Sequence, residues 1–276
     1  MLAIYIYFSA QYLTSMKIYL RRFVVLAIIA GCFSFQPETI INIHNNTPGI
    51  TLRFTHYIND TPAIFNKLIY NNLSGNKYML KELQYFVSDI KLQRKDGTII
   101  PLNLSKNIHY VDNDLPATLS WALPSLKVND TCYSISFRFG LSKQNNRSFL
   151  FRNRPENLMA WPDMMGGGYH YMKMNLKYID KDKQLSNFNC HLGPYMTNNT
   201  DTSSVVDNSF EVTLTPPTPI IILPVNTTDI QLQMNINKWF DGKFRMDMNQ
   251  YPDGIMDNET AMQQFCNNGA KAFTIK

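Results

Sequence analysis

Apolar and polar residues alternate over many short stretches of this chain, which is the period of a β-strand with one buried face. Residues 49–56 place their apolar side chains on one side, and residues 85–92 and 132–139 repeat the period. Turn residues such as Asp96-Gly97 separate these stretches. Further strands are predicted at residues 98–102, 107–111, 169–178, 188–192, 210–215, 220–223 and 230–236. About ten short strands with turns between them predict an all-β fold, an antiparallel β-sandwich.

One short helix is predicted near the C-terminus. Asn258 suits the N-cap position, apolar residues follow it at helical spacing, and Gly269 suits the end. We expect this helix to cover the sandwich as a lid. Residues 272–275 are predicted to dock as an apolar tail.

Residues 159–193 hold the densest set of chemically distinctive side chains. Three glycines at 166–168 permit positive φ angles or a close approach of the backbone. Alternation over 169–178 places His170 on the core face with Met172, whereas alternation over 188–192 places His191 opposite its apolar neighbours. The stretch predicts a β-hairpin entered through a glycine loop.

The N-terminal segment predicts export. Residues 16–22 are basic, residues 23–30 are apolar but too short to span a membrane, and Ala30-Gly31 precede Cys32. This order is typical of a bacterial lipoprotein signal, whose cysteine carries the lipid. We therefore expect a signal with lipidated Cys32 at residues 1–32, a tether at 33–48 and a single domain at 49–276. The protein would be anchored in the cell envelope, at the outer membrane.

Composition removes several classes of function. Cleavage at Cys32 removes Lys17, Arg21 and Arg22 and no acid, so the net charge falls from +5 to +2. No basic patch remains, which argues against nucleic acid as a partner. The sequence has no GxSxG, HExxH or P-loop motif, and an enzyme is not expected.

Three cysteines remain in the predicted mature chain: Cys132, Cys190 and Cys266. Either one disulfide forms and leaves one thiol, as the oxidising setting allows, or all three are small buried hydrophobic residues. No CxxC pair is present, so a zinc module is not expected.

Several motifs in a fixed order resemble one known family. They are Met-Ala-Trp at 159–161, Gly-Tyr-His-Tyr-Met-Lys at 168–173, Asn-Cys-His-Leu-Gly at 189–193, and upstream Leu52-Arg-Phe-Thr-His56, His109-Tyr-Val-Asp112 and Phe137-Arg-Phe-Gly140. Their order and spacing resemble the MbnP-like family, copper-binding proteins named for their link to methanobactin operons. The resemblance runs from about residue 51 to 273.

The resemblance implies a copper site built from histidines on separate strands. On matching positions, His56 and His109 are the implied ligands and His191 is a third, weaker one. Copper is then the cofactor, and a copper-transfer or redox protein the partner. Some family members also use a kynurenine made from tryptophan. Trp161 matches the Met-x-Trp motif, but no tryptophan follows His56 closely in the sequence.

A different class of function is also consistent with the sequence. A surface β-sandwich could bind a glycan or a partner protein without metal, through exposed aromatic rings of Trp121, Trp161 or Trp239. Its contact loop would contain Trp161, Met164, Met165, Tyr169 and His170. Converging histidines would favour copper, and exposed tryptophan faces would favour the binder. A third alternative is a purely structural lipoprotein.

Overall fold

A computed structural model of the protein describes residues 48–197, 204–252 and 254–276. All of them fall in the second of the two units into which the chain divides, Asn46–Lys276. The predicted signal segment, Cys32 and nearly all of the tether lie outside the described residues.

Short strands dominate the described residues. The strands are β1 (Gly49–Ile58), β2 (Thr61–Pro62), β3 (Tyr70–Asn71), β4 (Lys77–Gln93), β5 (Ile99–Ile100), β6 (Ile108–Asp112), β7 (Ser120–Pro124), β8 (Asp130–Cys132), β9 (Ser134–Phe139), β10 (Met172–Ile179), β11 (Leu185–Leu192), β12 (Tyr195–Met196), β13 (Val205–Val206), β14 (Phe210–Leu214), β15 (Ile220–Ile222), β16 (Thr227–Asn235) and β17 (Phe273–Ile275). The α-helices of this part are α1 (Asn237–Phe240) and α2 (Glu259–Gly269).

Two sheets form the body of the fold. The first has the order β17-β16-β1-β2, with β7 also paired to β1. The second has the order β11-β10-β4-β9-β14, with β3, β5 and β6 also paired to β4. All pairings are antiparallel except that of β1 with β16. The prediction of an all-β antiparallel sandwich is confirmed, apart from the parallel pair of β1 and β16.

The core lies between the two sheets because their facing strands alternate. Along β1 every second residue is buried, from Ile50 to Ile58. Phe54 of β1 meets Tyr85 of β4 edge to face, with ring centres 6.3 Å apart. This contact joins the two sheets, and we call the side of the second sheet that carries Tyr85 its inner face.

The outer face of the second sheet is buried as well. Phe86, the next residue on β4, stacks on Phe151 at 5.2 Å and meets Tyr169 at 6.2 Å. Both of these rings belong to the long connection between β9 and β10. The connection therefore covers the sheet and brings residues 159–170 onto its outer face.

The predicted hairpin and helix are present, with shifted ends. The hairpin of β10 and β11 begins at Met172, so His170 precedes the strand. The alternation predicted for 169–178 therefore does not determine on which face His170 lies. Asn258 caps α2 by accepting a hydrogen bond from the Ala261 amide at 2.9 Å. The apolar tail is a strand, β17, paired with β16.

All three cysteines of the described residues are free thiols. Cys132 and Cys190 are fully buried, as expected for small hydrophobic residues, so the disulfide alternative is wrong. Burial raises the pKa of the Cys190 thiol well above its usual value, which keeps it protonated. In the part of the chain that the structure describes, no helix is long and apolar enough to cross a membrane.

Candidate metal centre

His56 lies on the buried face of β1, with 8% of its surface exposed. Its Nε2 is 3.0 Å from the Tyr85 hydroxyl, and the Asn113 side chain also hydrogen bonds the ring. Burial lowers the pKa of His56 from 6.5 to about 4, because the surrounding apolar groups disfavour the charged form. At neutral pH the imidazole is therefore uncharged, which is the form that binds metals.

His109 is held on β6 between two aromatic rings. It stacks on Phe54 at 5.4 Å and on Trp121 at 5.1 Å, with interplanar angles of 16° and 6°. Its Nε2 lies 2.8 Å from the Thr118 carbonyl oxygen. A carbonyl only accepts hydrogen bonds, so Nε2 carries the proton and Nδ1 keeps its lone pair. Burial also lowers the pKa of His109.

The two histidines belong to one aromatic cluster between the sheets. Ring contacts run from His56 to Tyr85, then to Phe54, His109 and Trp121. We call these five residues the inner-face cluster. It joins β1 and β7 of the first sheet to β4 and β6 of the second. The structure therefore brings the two implied copper ligands into the same cluster, from different sheets.

The donors of the inner-face cluster fit copper better than a hard cation. Neutral imidazole nitrogens suit copper, whereas magnesium and calcium require carboxylate or carbonyl oxygens. Among the described residues no group of three or more histidine, cysteine, aspartate or glutamate side chains is placed to hold a metal. The ring contacts that connect His56 with His109 pass through Tyr85 and Phe54.

Trp121 was not expected beside the implied copper ligands, because it is far from His56 along the chain. Pairing of β7 with β1 places it opposite Leu52. The signal was the alternation of buried Trp121 and Leu123 around exposed Ala122. That pattern spans five residues and is too short to stand out without its partner strand.

His191 lies on the other face of the second sheet. Met172 pairs with Tyr85, so it shares the inner face, and the next pair along the hairpin, Lys173 with His191, points outward. The Nε2 of His191 is 2.7 Å from the Asn175 side-chain oxygen. His191 therefore does not join the inner-face cluster.

His170 is the direct neighbour of His191. Their ring centres are 5.1 Å apart and nearly perpendicular, and Trp161 meets His170 at 4.6 Å. The Nδ1 of His170 is 3.0 Å from the Met159 carbonyl oxygen. We call Trp161, His170 and His191 the outer-face cluster. Burial, reinforced by the nearby Lys173 ammonium, lowers the pKa of His170 to about 3 and that of His191 to about 4.

The predicted contact loop does not present aromatic faces to solvent. Trp161 and Tyr169 are 3% and 2% exposed, and only Met164 is strongly exposed, at 74%. Trp121 and Trp239 are buried too. The part of the binder hypothesis that relied on exposed tryptophan faces is therefore wrong.

A comparison with protein-family models matches residues 47–257 to MbnP. The chain belongs to the MbnP family. The matched span contains both histidine clusters and ends before α2. A solved structure, MbnP from Methylosinus trichosporium, is 15% identical with a TM-score of 0.47, over 72% of this chain and 78% of that one. A comparison with curated proteins gives no significant match.

Proposed function

We propose that this member of the MbnP family binds copper outside the cytoplasm at the inner-face cluster, with His56 and His109 as its protein ligands. One observation carries the proposal: the two sheets deliver two uncharged imidazoles to one aromatic cluster, from the positions that the family resemblance implies. The role is binding and delivery of the metal rather than catalysis.

Each residue of the cluster has a distinct task in this proposal. His109 offers Nδ1, because the Thr118 carbonyl holds the proton on Nε2. Stacking on Phe54 and Trp121 fixes the plane of this ring, which stays partly exposed. His56 would bind the metal through one ring nitrogen, once that nitrogen gives up its hydrogen bond with Tyr85 or Asn113. A bound copper ion supplies a metal that can change oxidation state or be handed to a partner protein.

The location of this activity follows from the N-terminal sequence. We propose that Cys32 carries a lipid and anchors the protein in the cell envelope, at the outer membrane. The basic segment, the short apolar segment and the Ala30-Gly31-Cys32 sequence support this. The Cys32→Ala variant should leave the membrane fraction and appear in the soluble envelope fraction. Retention in the membrane would contradict the anchor.

Copper affinity of the full chain tests the site. Parent protein and a His56→Ala, His109→Phe double variant would compete for Cu(I) with a coloured chelator. Phenylalanine at 109 keeps a ring between Phe54 and Trp121 but removes both nitrogens. We expect the parent to bind copper roughly 100-fold or more tightly than the double variant at this site.

Two controls make the result specific. Near-ultraviolet circular dichroism must show that the double variant keeps its packed aromatic core. A His170→Gln, His191→Gln variant must keep a copper site, and further substitution of His56 and His109 in that variant must remove it. Equal copper affinity of the parent and the inner-face double variant would contradict the proposal.

A further inference from the structure

We propose that the outer-face cluster is a second, independent metal site, in which His170 Nε2 and His191 Nδ1 bind one soft monovalent ion, Cu(I) or Ag(I), beside the Trp161 indole. The inference does not require the inner-face cluster to bind copper, because the two clusters lie on opposite faces of the second sheet.

The separation of the two rings suits one shared ion. With metal–nitrogen bonds of about 2.0–2.1 Å, each imidazole centre lies about 3.2 Å from the metal. The observed distance of 5.1 Å between the ring centres of His170 and His191 then corresponds to a nitrogen–metal–nitrogen angle of roughly 105–110°. An angle this far from linear leaves coordination positions open, so the ion would complete its shell with further donors such as water.

Hydrogen bonds decide which nitrogens remain free. His170 must donate from Nδ1, because the Met159 carbonyl only accepts. The Asn175 amide nitrogen donates to Glu82, which turns its oxygen toward His191, so His191 donates from Nε2. The lone pairs therefore lie on His170 Nε2 and His191 Nδ1. Ligating histidines are commonly oriented in this way by an acceptor on the other nitrogen.

The charges around the outer-face cluster select a monovalent ion. Lys173 is the cation that acts on both imidazoles, and it donates a hydrogen bond to the Leu158 carbonyl oxygen at 2.6 Å. The Glu82 carboxylate is already engaged by Asn175. A divalent ion without an anionic ligand would be repelled twice as strongly by this ammonium group as a monovalent one. Neutral nitrogen donors beside a cation thus favour Cu(I) or Ag(I).

Trp161 is a fixed wall of the outer-face cluster. Its Nε1 donates to the Met165 carbonyl at 3.2 Å, and its ring covers Gly193, where an added Cβ would come within 2.5 Å of the indole. The indole sits 4.6 Å from the His170 ring. A heavy soft ion bound to His170 would lie close to the indole and should quench the Trp161 fluorescence. Tryptophan fluorescence therefore measures occupancy of this site.

Silver titration of the full chain in chloride-free buffer tests the proposal. In the His56→Ala, His109→Phe background, Ag(I) should bind with a stoichiometry of one and quench tryptophan fluorescence. Adding His170→Gln and His191→Gln should weaken this binding at least roughly tenfold. Trp161→Phe should preserve binding and abolish most of the quenching. Unchanged affinity after both glutamine substitutions would overturn the proposal.

A measurement on the unsubstituted protein covers the case in which a variant fails to fold. Nitrogen-15 NMR of the imidazole rings before and after addition of Ag(I) should move the resonances of His170 Nε2 and His191 Nδ1, while the protonated nitrogens move less. No shift at these two nitrogens when Ag(I) is in excess would overturn the outer-face site. It would leave the inner-face proposal untouched, because His56 and His109 have resonances of their own.

Discussion

The inner-face and outer-face clusters each combine two histidines with one tryptophan, yet the two are built differently. In the inner-face cluster the histidines come from different sheets, and their ring contacts pass through Tyr85 and Phe54. In the outer-face cluster the rings of His170 and His191 touch each other directly. The inner histidines are enclosed by aromatic rings, whereas Lys173 stands beside the outer pair.

Residue type alone therefore does not define the environment of a buried histidine. All four imidazoles are kept uncharged by burial, so protonation does not separate the clusters. What separates them is the neighbouring charge, because the Lys173 ammonium acts on both outer imidazoles. Backbone carbonyls fix the proton at His109 and His170, and a side-chain amide fixes it at His191.

Loss of the tryptophan should have the largest effect in both clusters. Trp121→Ala and Trp161→Ala each remove a large buried side chain and should lower the free energy of unfolding by about 3–5 kcal/mol. Equilibrium denaturation in urea measures the change. Trp121→Phe and Trp161→Phe are the matched controls and should cost clearly less. A loss below about 1 kcal/mol for either alanine variant would show that this tryptophan is not a packing element.

Acidification should destabilise the protein through both clusters. The pKa of His56 falls from 6.5 to about 4 on folding, so the unfolded chain takes up a proton first as the pH drops. The stability present above pH 6.5 is therefore lost between pH 6.5 and 4, on the order of 3 kcal/mol for His56. Denaturation at a series of pH values should give a flatter profile for His56→Gln than for the parent. Identical slopes would contradict the buried, neutral state of His56.

The outer-face pair extends the same test to lower pH. Because the pKa of His170 is lowered to about 3, its contribution should continue to change below pH 4, where that of His56 is complete. A His170→Gln variant should therefore flatten the profile down to about pH 3. A flattening confined to the range above pH 5 would mean that His170 is more exposed to solvent than this structure has it.

Gly193→Ala should disturb the outer-face cluster alone. The added Cβ would approach the Trp161 ring to 2.5 Å, so the indole must shift and its contact with His170 must change. We expect a loss of about 1–3 kcal/mol in unfolding free energy. Imidazole NMR should show shifts for His170 and His191 and none for His109. Equal shifts in both clusters would mean that they are coupled through the sheet.

Tyr85→Phe should have the smallest effect. It removes the hydroxyl that lies 3.0 Å from His56 Nε2 while keeping the ring that packs on Phe54. The expected loss is about 1 kcal/mol, the net value of one buried hydrogen bond. Chelator competition should also show a change in copper affinity, because His56 Nε2 would no longer have to give up its hydrogen bond with the Tyr85 hydroxyl to bind the metal. An unchanged affinity would assign the other nitrogen of His56 to copper.

Much of the fold could be predicted from periodicity, and the exceptions have physical causes. Strict alternation found β1 because only one of its faces is buried. The 17-residue β4 was predicted only over residues 85–92, and its first half was missed because the alternation breaks at Lys81, where the strand bulges opposite β10. A second irregularity at Asp89, whose φ is 54°, interrupts the pairing of β4 with β9.

The candidate sites were only partly predictable. His56 and His109 followed from motif resemblance, but their shared aromatic cluster depends on strand pairing that joins residues more than 50 positions apart. The predicted strand began at residue 169 and placed His170 on the same face as Met172. In the structure β10 begins at Met172, so His170 precedes the strand and contacts His191. No local pattern records either arrangement.

Anomalous diffraction at the copper edge, from crystals of the copper-loaded full chain, would locate the bound metal. We expect a peak bonded to His109 Nδ1 and to one nitrogen of His56, with the Thr118 carbonyl still accepting from His109 Nε2. A map with no copper within bonding distance of either histidine, from protein that holds copper in solution, would contradict this expectation.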